Sequence, residues 1–177
     1  MYKRILLAYD GSREGLIALR EGALLAKQCG AQAFLLSVLS SSDLGVPTVD
    51  GVHVDVVHEQ LAAYEALLQR GVAVAKQLGL DPVSRLVTGE PTAQIGAFAA
   101  EIDADLVVLG HRRKNLLQRW WSGPSGAYIT DQVRCSVLIG RNAISDEAFE
   151  AELQGINAPV EPTVAEAQSP ADARAGG

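Results

Sequence analysis

The sequence has few cysteines, no long apolar run and no recognisable export signal. Its two cysteines, Cys29 and Cys135, are far apart and belong to no C-x-x-C pair, so neither a disulfide framework nor a structural zinc site is expected. The first residues do not have the charged, apolar and small-residue pattern of a signal peptide. No apolar run approaches the roughly 18 to 20 residues that cross a bilayer. The sequence therefore predicts a cytoplasmic protein with no membrane partner.

Basic residues are not in excess either. Fifteen Lys and Arg oppose 21 Asp and Glu, which gives a net charge of −6. Seven of the acids and two of the bases fall in residues 141–177, so this segment carries −5 and residues 1–140 carry only −1. A body this close to neutral is not expected to bind nucleic acid. The acidic end of the chain is rich in alanine and proline, which predicts a largely flexible tail over residues 142–177.

Familiar catalytic and cofactor motifs are missing as well. The sequence contains neither a P-loop nor a G-x-G-x-x-G motif, which excludes P-loop nucleotide hydrolases and Rossmann dehydrogenases. Its histidines, His53, His58 and His111, lack the H-E-x-x-H spacing of metalloproteases. Residues 123–127 resemble a nucleophile elbow, but they lack its final glycine and follow a loop in place of a strand. No catalytic residue and no resident metal site are predicted.

The apolar pattern divides the chain into alternating strands and helices. Five short apolar runs predict buried strands, and the fourth, at residues 105–110, shows no polar alternation, as a parallel strand covered on both faces requires. Between the runs, apolar positions repeat with the helical period and predict four helices. The strands are expected at residues 4–9, 33–39, 83–88, 105–110 and 136–140, and the helices around residues 16–26, 57–75, 91–102 and 128–133.

This alternation indicates an α/β fold with an open, five-stranded parallel sheet and helices on both faces, because parallel strands need crossover connections. In such sheets ligands bind beyond the carboxyl ends of the strands, where the strand order reverses. Residues 9–12, 38–42 and 110–125 are predicted to lie at that edge. Residues 40–52 are rich in helix and strand breakers and predict a surface loop. Gly71, inside the second helical pattern, predicts either close packing or a kink.

The segment at residues 110–125 is the most informative one. It holds four of the 13 bases of residues 1–140, and its glycines allow a backbone to approach a ligand closely. Free N–H groups at the start of the following helix favour an anion. A phosphate site is therefore one interpretation, and a solvated basic loop is the other. Trp120 and Trp121 within this segment predict a cover for the sheet edge, a lid over the pocket or a contact between subunits.

Four segments together resemble the universal stress protein (UspA) family. They are the first strand with Asp10 at its end, Gly89-x-Pro91 before the third helix, the segment 110–125, and the run from Cys135 to Arg141. The resemblance covers about residues 1–141, which are expected to form one domain. It implies a Rossmann-like sheet of the adenine nucleotide alpha hydrolase type, with strand order 3-2-1-4-5.

The resemblance also implies a function and a partner. Members of this family are stress-response regulatory or binding modules, so a dedicated enzyme is not expected, and weak ATP hydrolysis is the most that is implied. An enzyme acting on an adenylated small molecule is the alternative from another class. The family also implies a homodimer formed through the last strand, here Val137, Leu138 and Ile139. Without a partner subunit, the unpaired backbone groups of this apolar edge strand would be exposed.

The nucleotide-binding pattern of that family is only partly kept. Its ATP-binding members carry Gly, two residues, Gly, nine residues, then Gly-Ser or Gly-Thr. This chain keeps the spacing but has Arg113 at the second glycine and Pro124 at the last position. Pro124 offers neither an N–H nor a hydroxyl group, although Ser125 follows it, and Arg113 is able to pair with a phosphate. Two hypotheses follow: the protein binds ATP or a related adenine nucleotide, with Mg²⁺ only alongside it, or it binds no nucleotide and acts through protein contacts.

If a nucleotide is bound, the resemblance implies which residues surround it. Ala8, Tyr9, Asp10 and Val38 would line the adenosine end, and the Asp10 carboxylate would accept a hydrogen bond from ribose or adenine. The alternative for Asp10 is the N-cap of the first helix, and the alternative for Val38 is a plain core position. The complete predicted nucleotide-binding set is Ala8, Tyr9, Asp10, Val38, Gly110, Arg112, Arg113, Gly123, Pro124 and Ser125.

Overall fold

The computed structural model describes residues 1–40, 54–110 and 129–140, together with Ser145 and Glu147. Over these residues strands and helices alternate as predicted. Most of the predicted loop at residues 40–52 lies outside the described residues, and Ser40 belongs to a strand. The strands are β1 (Arg4–Ala8), β2 (Gln32–Ser40), β3 (Val83–Gly89), β4 (Leu106–Gly110) and β5 (Ser136–Gly140), and the helices are α1 (Arg13–Cys29), α2 (Val54–Gln77), α3 (Pro91–Glu101) and α4 (Ile129–Gln132).

The five strands form one parallel sheet. Their order is β3-β2-β1-β4-β5, which confirms the strand order implied by the family resemblance. The chain runs outward from β1 through β2 to β3 and then returns to the other side of β1 to form β4. The strand order therefore reverses between β1 and β4, which is the position where open α/β sheets bind ligands.

Helices cover both faces of the sheet. One apolar cluster joins α1 and α2 to residues such as Leu7 and Leu35, and the other joins α3 and α4 to residues such as Leu6 and Leu36. Successive residues of β1 and β2 thus enter opposite clusters, because side chains alternate along a strand. Burial on both faces explains why these strands are apolar without interruption.

Capping residues set the ends of the helices. Ser12 is the N-cap of α1, and its Oγ accepts a hydrogen bond from the N–H of Gly15 at 2.9 Å. Gly30 ends the same helix in the left-handed conformation, with φ of 61°. Helix α3 begins with Pro91 after the N-cap Glu90, whose carboxylate accepts from the N–H of Ala93 at 2.8 Å.

Gly71 lets α2 lie close to the sheet. A Cβ added at this position would be 2.8 Å from Cδ1 of Tyr9 and 3.0 Å from Cδ2 of Leu35. The close packing predicted for Gly71 is therefore observed. Among the helices of the described ranges, none combines the length and apolar character that a membrane span requires.

Glu21 of α1 places a carboxylate oxygen in the interior. Its Oε2 is fully buried, lies 3.2 Å from where a Cβ on Gly140 would be, and receives no hydrogen bond from the residues that the structure describes. Burial raises the pKa of this carboxyl above its ordinary value of 4.5. Ionisation of Glu21 is therefore less favourable in the folded state than in the unfolded chain.

We expect Glu21→Gln to raise the free energy of unfolding at pH 7. A raised pKa means that the contribution of Glu21 to stability is fully present below the pKa of the unfolded chain and is lost as the pH rises through the folded pKa. The difference in free energy of unfolding between the variant and wild type should thus narrow as the pH falls towards 4. Urea unfolding at pH 7, 5.5 and 4 measures this, with the exposed Glu65→Gln as control. A variant no more stable than wild type at pH 7 contradicts the assignment.

Candidate functional site

Five of the ten predicted site residues belong to the described part of the chain, and they lie along the carboxyl edge of three neighbouring strands. Ala8 ends β1 and is followed by Tyr9 and Asp10, Gly110 ends β4, and Val38 lies near the end of β2. The edge includes the reversal of strand order between β1 and β4. The other predicted residues, which lie outside the described residues, are Arg112, Arg113, Gly123, Pro124 and Ser125.

Asp10 holds the capping residue of α1 in place. Its Oδ1 accepts hydrogen bonds from the backbone N–H of Ser12 at 2.9 Å and from the Ser12 Oγ at 2.5 Å. The interpretation of Asp10 as the N-cap itself is wrong, because Ser12 has that role: its Oγ accepts the N–H of Gly15. Within the described ranges, no hydrogen bond reaches the second carboxylate oxygen of Asp10, Oδ2.

The first turn of α1 lies directly against the end of β4. A Cβ on Gly110 would be 2.6 Å from the carbonyl oxygen of Glu14 and 2.7 Å from the backbone nitrogen of Gly15. A Cβ on Gly15 would in turn collide with Oδ1 of Asp10. Sequence reasoning missed Gly15, although a glycine one turn after a helix cap was the available signal. The sequence predicts that glycine at position 110 allows a ligand to approach closely. In the structure, the contact with α1 is by itself sufficient to require glycine there.

Tyr9 supports the edge through its backbone and its ring. Its N–H donates to the carbonyl of Leu36 at 2.9 Å, and its carbonyl accepts from the fully buried Ser37 Oγ at 2.8 Å. The ring packs beneath Gly71 of α2. Burial raises the pKa of the Tyr9 phenol, with nearby Arg70 acting in the opposite direction, so the phenol stays protonated at neutral pH.

Ala8 and Val38 lie on the opposite face of the sheet from the Tyr9 ring. Ala8 belongs to the apolar cluster beneath α3, and Val38, half-buried, packs against the same cluster. Val38 therefore contributes to the core, in agreement with the alternative prediction of a plain core position for this residue. The edge thus combines the half-buried Val38 with Oδ2 of Asp10, which receives no hydrogen bond from the described residues and can accept one from a hydroxyl or amino group of a ligand.

No metal site accompanies these residues in residues 1–40, 54–110 and 129–140: nowhere in these ranges do three His, Cys, Asp or Glu side chains cluster closely enough to hold an ion. Burial raises the pKa of the Cys135 thiol. A thiol with a raised pKa is a poor nucleophile and a poor metal ligand at neutral pH.

Known proteins match both the sequence and the fold of this chain. The family model described as universal stress protein family matches residues 1–141. A universal stress protein A homolog from Haemophilus ducreyi is 35% identical over 130 residues, which cover 69% of this chain and 82% of that protein. A putative universal stress protein from Staphylococcus aureus is 31% identical over 154 residues, covering 86% of this chain and 92% of the relative.

Solved structures share the fold at lower sequence identity. UspA from Lactobacillus plantarum superposes with a TM-score of 0.64 at 23% identity, covering 79% of this chain and 98% of that one. A universal stress protein in complex with cAMP gives a TM-score of 0.58 at 21% identity, covering 80% and 99% of the two chains. One from Archaeoglobus fulgidus in complex with dAMP gives 0.54 at 19% identity, covering 79% and 98%. With the family match over residues 1–141, these comparisons establish that the chain belongs to the universal stress protein family.

Proposed function

We propose that this protein is a cytoplasmic stress-response module that binds ATP or another adenine nucleotide at the carboxyl edge between β1 and β4. The observation that carries the proposal is the Asp10 carboxylate. Its Oδ1 is fixed by Ser12 at 2.9 and 2.5 Å, while Oδ2 receives no hydrogen bond in the described part of the chain. A carboxylate oxygen held in this way is suited to a ribose hydroxyl or an adenine amino group. The family structures with cAMP and dAMP support this class of ligand.

The phosphate end of the ligand is assigned to residues 112–125 by sequence. Arg112 and Arg113 offer positive charge, Gly123 offers a backbone N–H, and Ser125 supplies the hydroxyl that Pro124 lacks. The chain enters this segment from Gly110, at the same edge as Asp10. Mg²⁺ would bind together with the nucleotide, because in such sites the phosphate oxygens supply many of the ligands of the ion.

We infer a binding function without efficient turnover. In the described ranges, the carboxylate that follows β1, that of Asp10, already holds the cap of α1. Hydrolysis requires a base or nucleophile positioned beside the phosphates. The protein is thus proposed to sense the nucleotide, with weak ATP hydrolysis at most.

Calorimetric titration with MgATP, AMP and cAMP tests the proposal, with GTP as the comparison base. We expect heat of binding for the adenine nucleotides and an affinity at least tenfold lower in Asp10→Asn, about 1.4 kcal/mol. The asparagine side chain keeps one oxygen that can accept from Ser12, but it has an NH₂ group, a hydrogen-bond donor, in place of Oδ2. Asp81→Asn, an exposed acid after α2, is the control and should bind as wild type does. No heat with adenine nucleotides at millimolar concentration sinks the proposal.

A second candidate function is favoured by the two replaced marker residues. Arg113 and Pro124 stand where, by the family resemblance, nucleotide-binding members carry glycine and serine or threonine. Arg113 adds a large side chain at its position, and Pro124 has neither an N–H nor a hydroxyl group. In this version the protein binds no nucleotide and acts through protein contacts. The double variant Arg113→Gly/Pro124→Ser distinguishes the two: binding that appears only in the double variant favours protein contacts, and binding in wild type favours the nucleotide.

We also propose a homodimer formed through β5. Among the described residues, the outer strands of the sheet are β3 and β5. The strand β3 carries a charged side chain: Arg85 pairs with Glu101 at 2.6 Å and lies 4.2 Å over the Phe98 ring. Charged side chains on an edge strand discourage pairing with another chain. At the other edge, β5 has no charged residue, and its half-buried side chains are Val137, Leu138 and Ile139.

A further inference from the structure

A groove of about 370 Å³ opens at the amino-terminal end of the sheet, away from the candidate nucleotide site. It lies between α3 and the segment that joins α4 to β5. One wall is lined by small side chains of α3 and the turn after it, and the other by the residues that precede β5. The lining residues are Gly96, Ala99, Ala100, Asp103, Ala104, Gln132, Val133, Arg134 and Cys135.

The groove lies beyond the closest described approach of α3 to α4. At Gly96, a Cβ would lie 2.8 Å from both Cβ and O of Gln132, so the two elements are in close contact there. Farther along α3, the groove is lined by the small side chains of Ala99 and Ala100. Small residues on one wall leave room for large apolar side chains from elsewhere, and the volume is typical of a binding pocket.

We propose that this groove binds the acidic tail of the same chain, through the apolar residues between Phe149 and Ile156. The tail has the length to reach it. It leaves the sheet at Gly140, which is about 13 Å along β5 from Ser136 at the strand rise of about 3.3 Å per residue. The nine residues from Arg141 to Phe149 extend to about 30 Å at the same rise, which is more than twice that distance.

The tail also has the matching chemistry. Phe149, Leu153 and Ile156 follow one another at spacings of four and three, the pattern of one helix face, and Glu147 just before them is helical. They are large apolar residues in a segment otherwise dominated by small and acidic ones. These side chains complement walls made of glycine and alanine.

Charge favours the same occupant. Residues 142–177 contain seven acids and one base. Arg134, at the groove, is exposed and has no carboxylate partner in the described ranges. The groove's own acid, Asp103, is already paired with Arg4 at 3.4 Å. The guanidinium group of Arg134 can therefore attract an acidic peptide to the groove. Salt should weaken this electrostatic attraction.

The thiol of Cys135 reports directly on the groove. In the full-length chain with Cys29→Ser, Cys135 is the only thiol, and its rate of reaction with N-ethylmaleimide can be followed by mass spectrometry. We expect Phe149→Asp/Leu153→Asp to raise this rate at least about fivefold, because the tail no longer covers the groove. Val160→Asp/Val164→Asp, farther along the tail, is the matched control and should leave the rate unchanged. Equal reaction rates in the two tail variants overturn the proposal. Protection of Cys135 in wild type that disappears on dilution also overturns it, because that result indicates a second copy of the chain as the occupant.

Filling the groove provides the reciprocal test. Ala100 is exposed and lines the groove, whereas Ala97, also exposed on α3, does not line it. Ala100→Trp should accelerate amide hydrogen exchange in residues 146–156, while Ala97→Trp should not. Neither substitution enters the core, so both variants are expected to fold. Unchanged exchange in Ala100→Trp overturns the proposal whether or not the protein binds nucleotide or forms a dimer.

Discussion

Replacing Gly110 by alanine is expected to lower the free energy of unfolding by about 3 kcal/mol, the upper end of the range for overpacking. The added Cβ would lie 2.6 Å from the carbonyl oxygen of Glu14 and 2.7 Å from the nitrogen of Gly15. These are backbone atoms in the first turn of α1, so no side-chain rotation relieves the collision. Either α1 or the end of β4 must shift. Urea unfolding followed by circular dichroism measures the loss.

Gly30→Ala is the matched control for this substitution. Gly30 has φ of 61° and no atom within 4 Å of an added Cβ, so its replacement costs only the left-handed backbone conformation, about 1 to 2 kcal/mol. A Gly110→Ala variant that loses no more stability than Gly30→Ala would contradict the close contact between α1 and β4. Because Asp10 and Ser12 are hydrogen-bonded to each other at the start of α1, the shift in Gly110→Ala should also weaken the proposed adenine nucleotide binding.

The strands and helices were predictable because burial on both faces leaves a strong pattern. The prediction for residues 105–110 matches β4, Leu106–Gly110, to within one residue, and residues 136–140 match β5. Glycines after helices were equally informative, since Gly30 does end α1 in the left-handed conformation. The order of the strands did not follow from periodicity, which says nothing about neighbours. It came from the family resemblance.

Contacts between distant parts of the chain limited the prediction of the site. Asp10 and Ser12 are both favourable capping residues two positions apart, and only the position of Oγ relative to the N–H of Gly15 distinguishes them. Likewise, the neighbour that requires glycine at position 110 is Glu14, at the other end of the domain in sequence. The groove beside Cys135 was not predicted either, because it exists only where the alanines of α3 face a separate segment.

The direction of the backbone groups in β5 gives the second large effect. The N–H of Ser136 donates to the carbonyl of Asp105 at 3.3 Å, so Ser136 faces β4. Successive residues of a strand direct their N–H and C=O groups to opposite sides. Val137 and Ile139 therefore direct these groups to the open edge of the sheet, where the proposed partner strand would pair.

Val137→Pro is expected to convert the dimer into a monomer. Proline removes the outward N–H of residue 137 but none of the hydrogen bonds to β4, and proline is tolerated at such positions on edge strands. Sedimentation equilibrium at tens of micromolar should show a dimer for wild type and for Val137→Thr, which keeps the N–H and the β-branched shape. Circular dichroism should show that all three proteins are folded. A monomeric wild type refutes the dimer. A Val137→Pro variant that stays dimeric refutes pairing through β5, because the outward N–H of residue 137 would then be dispensable.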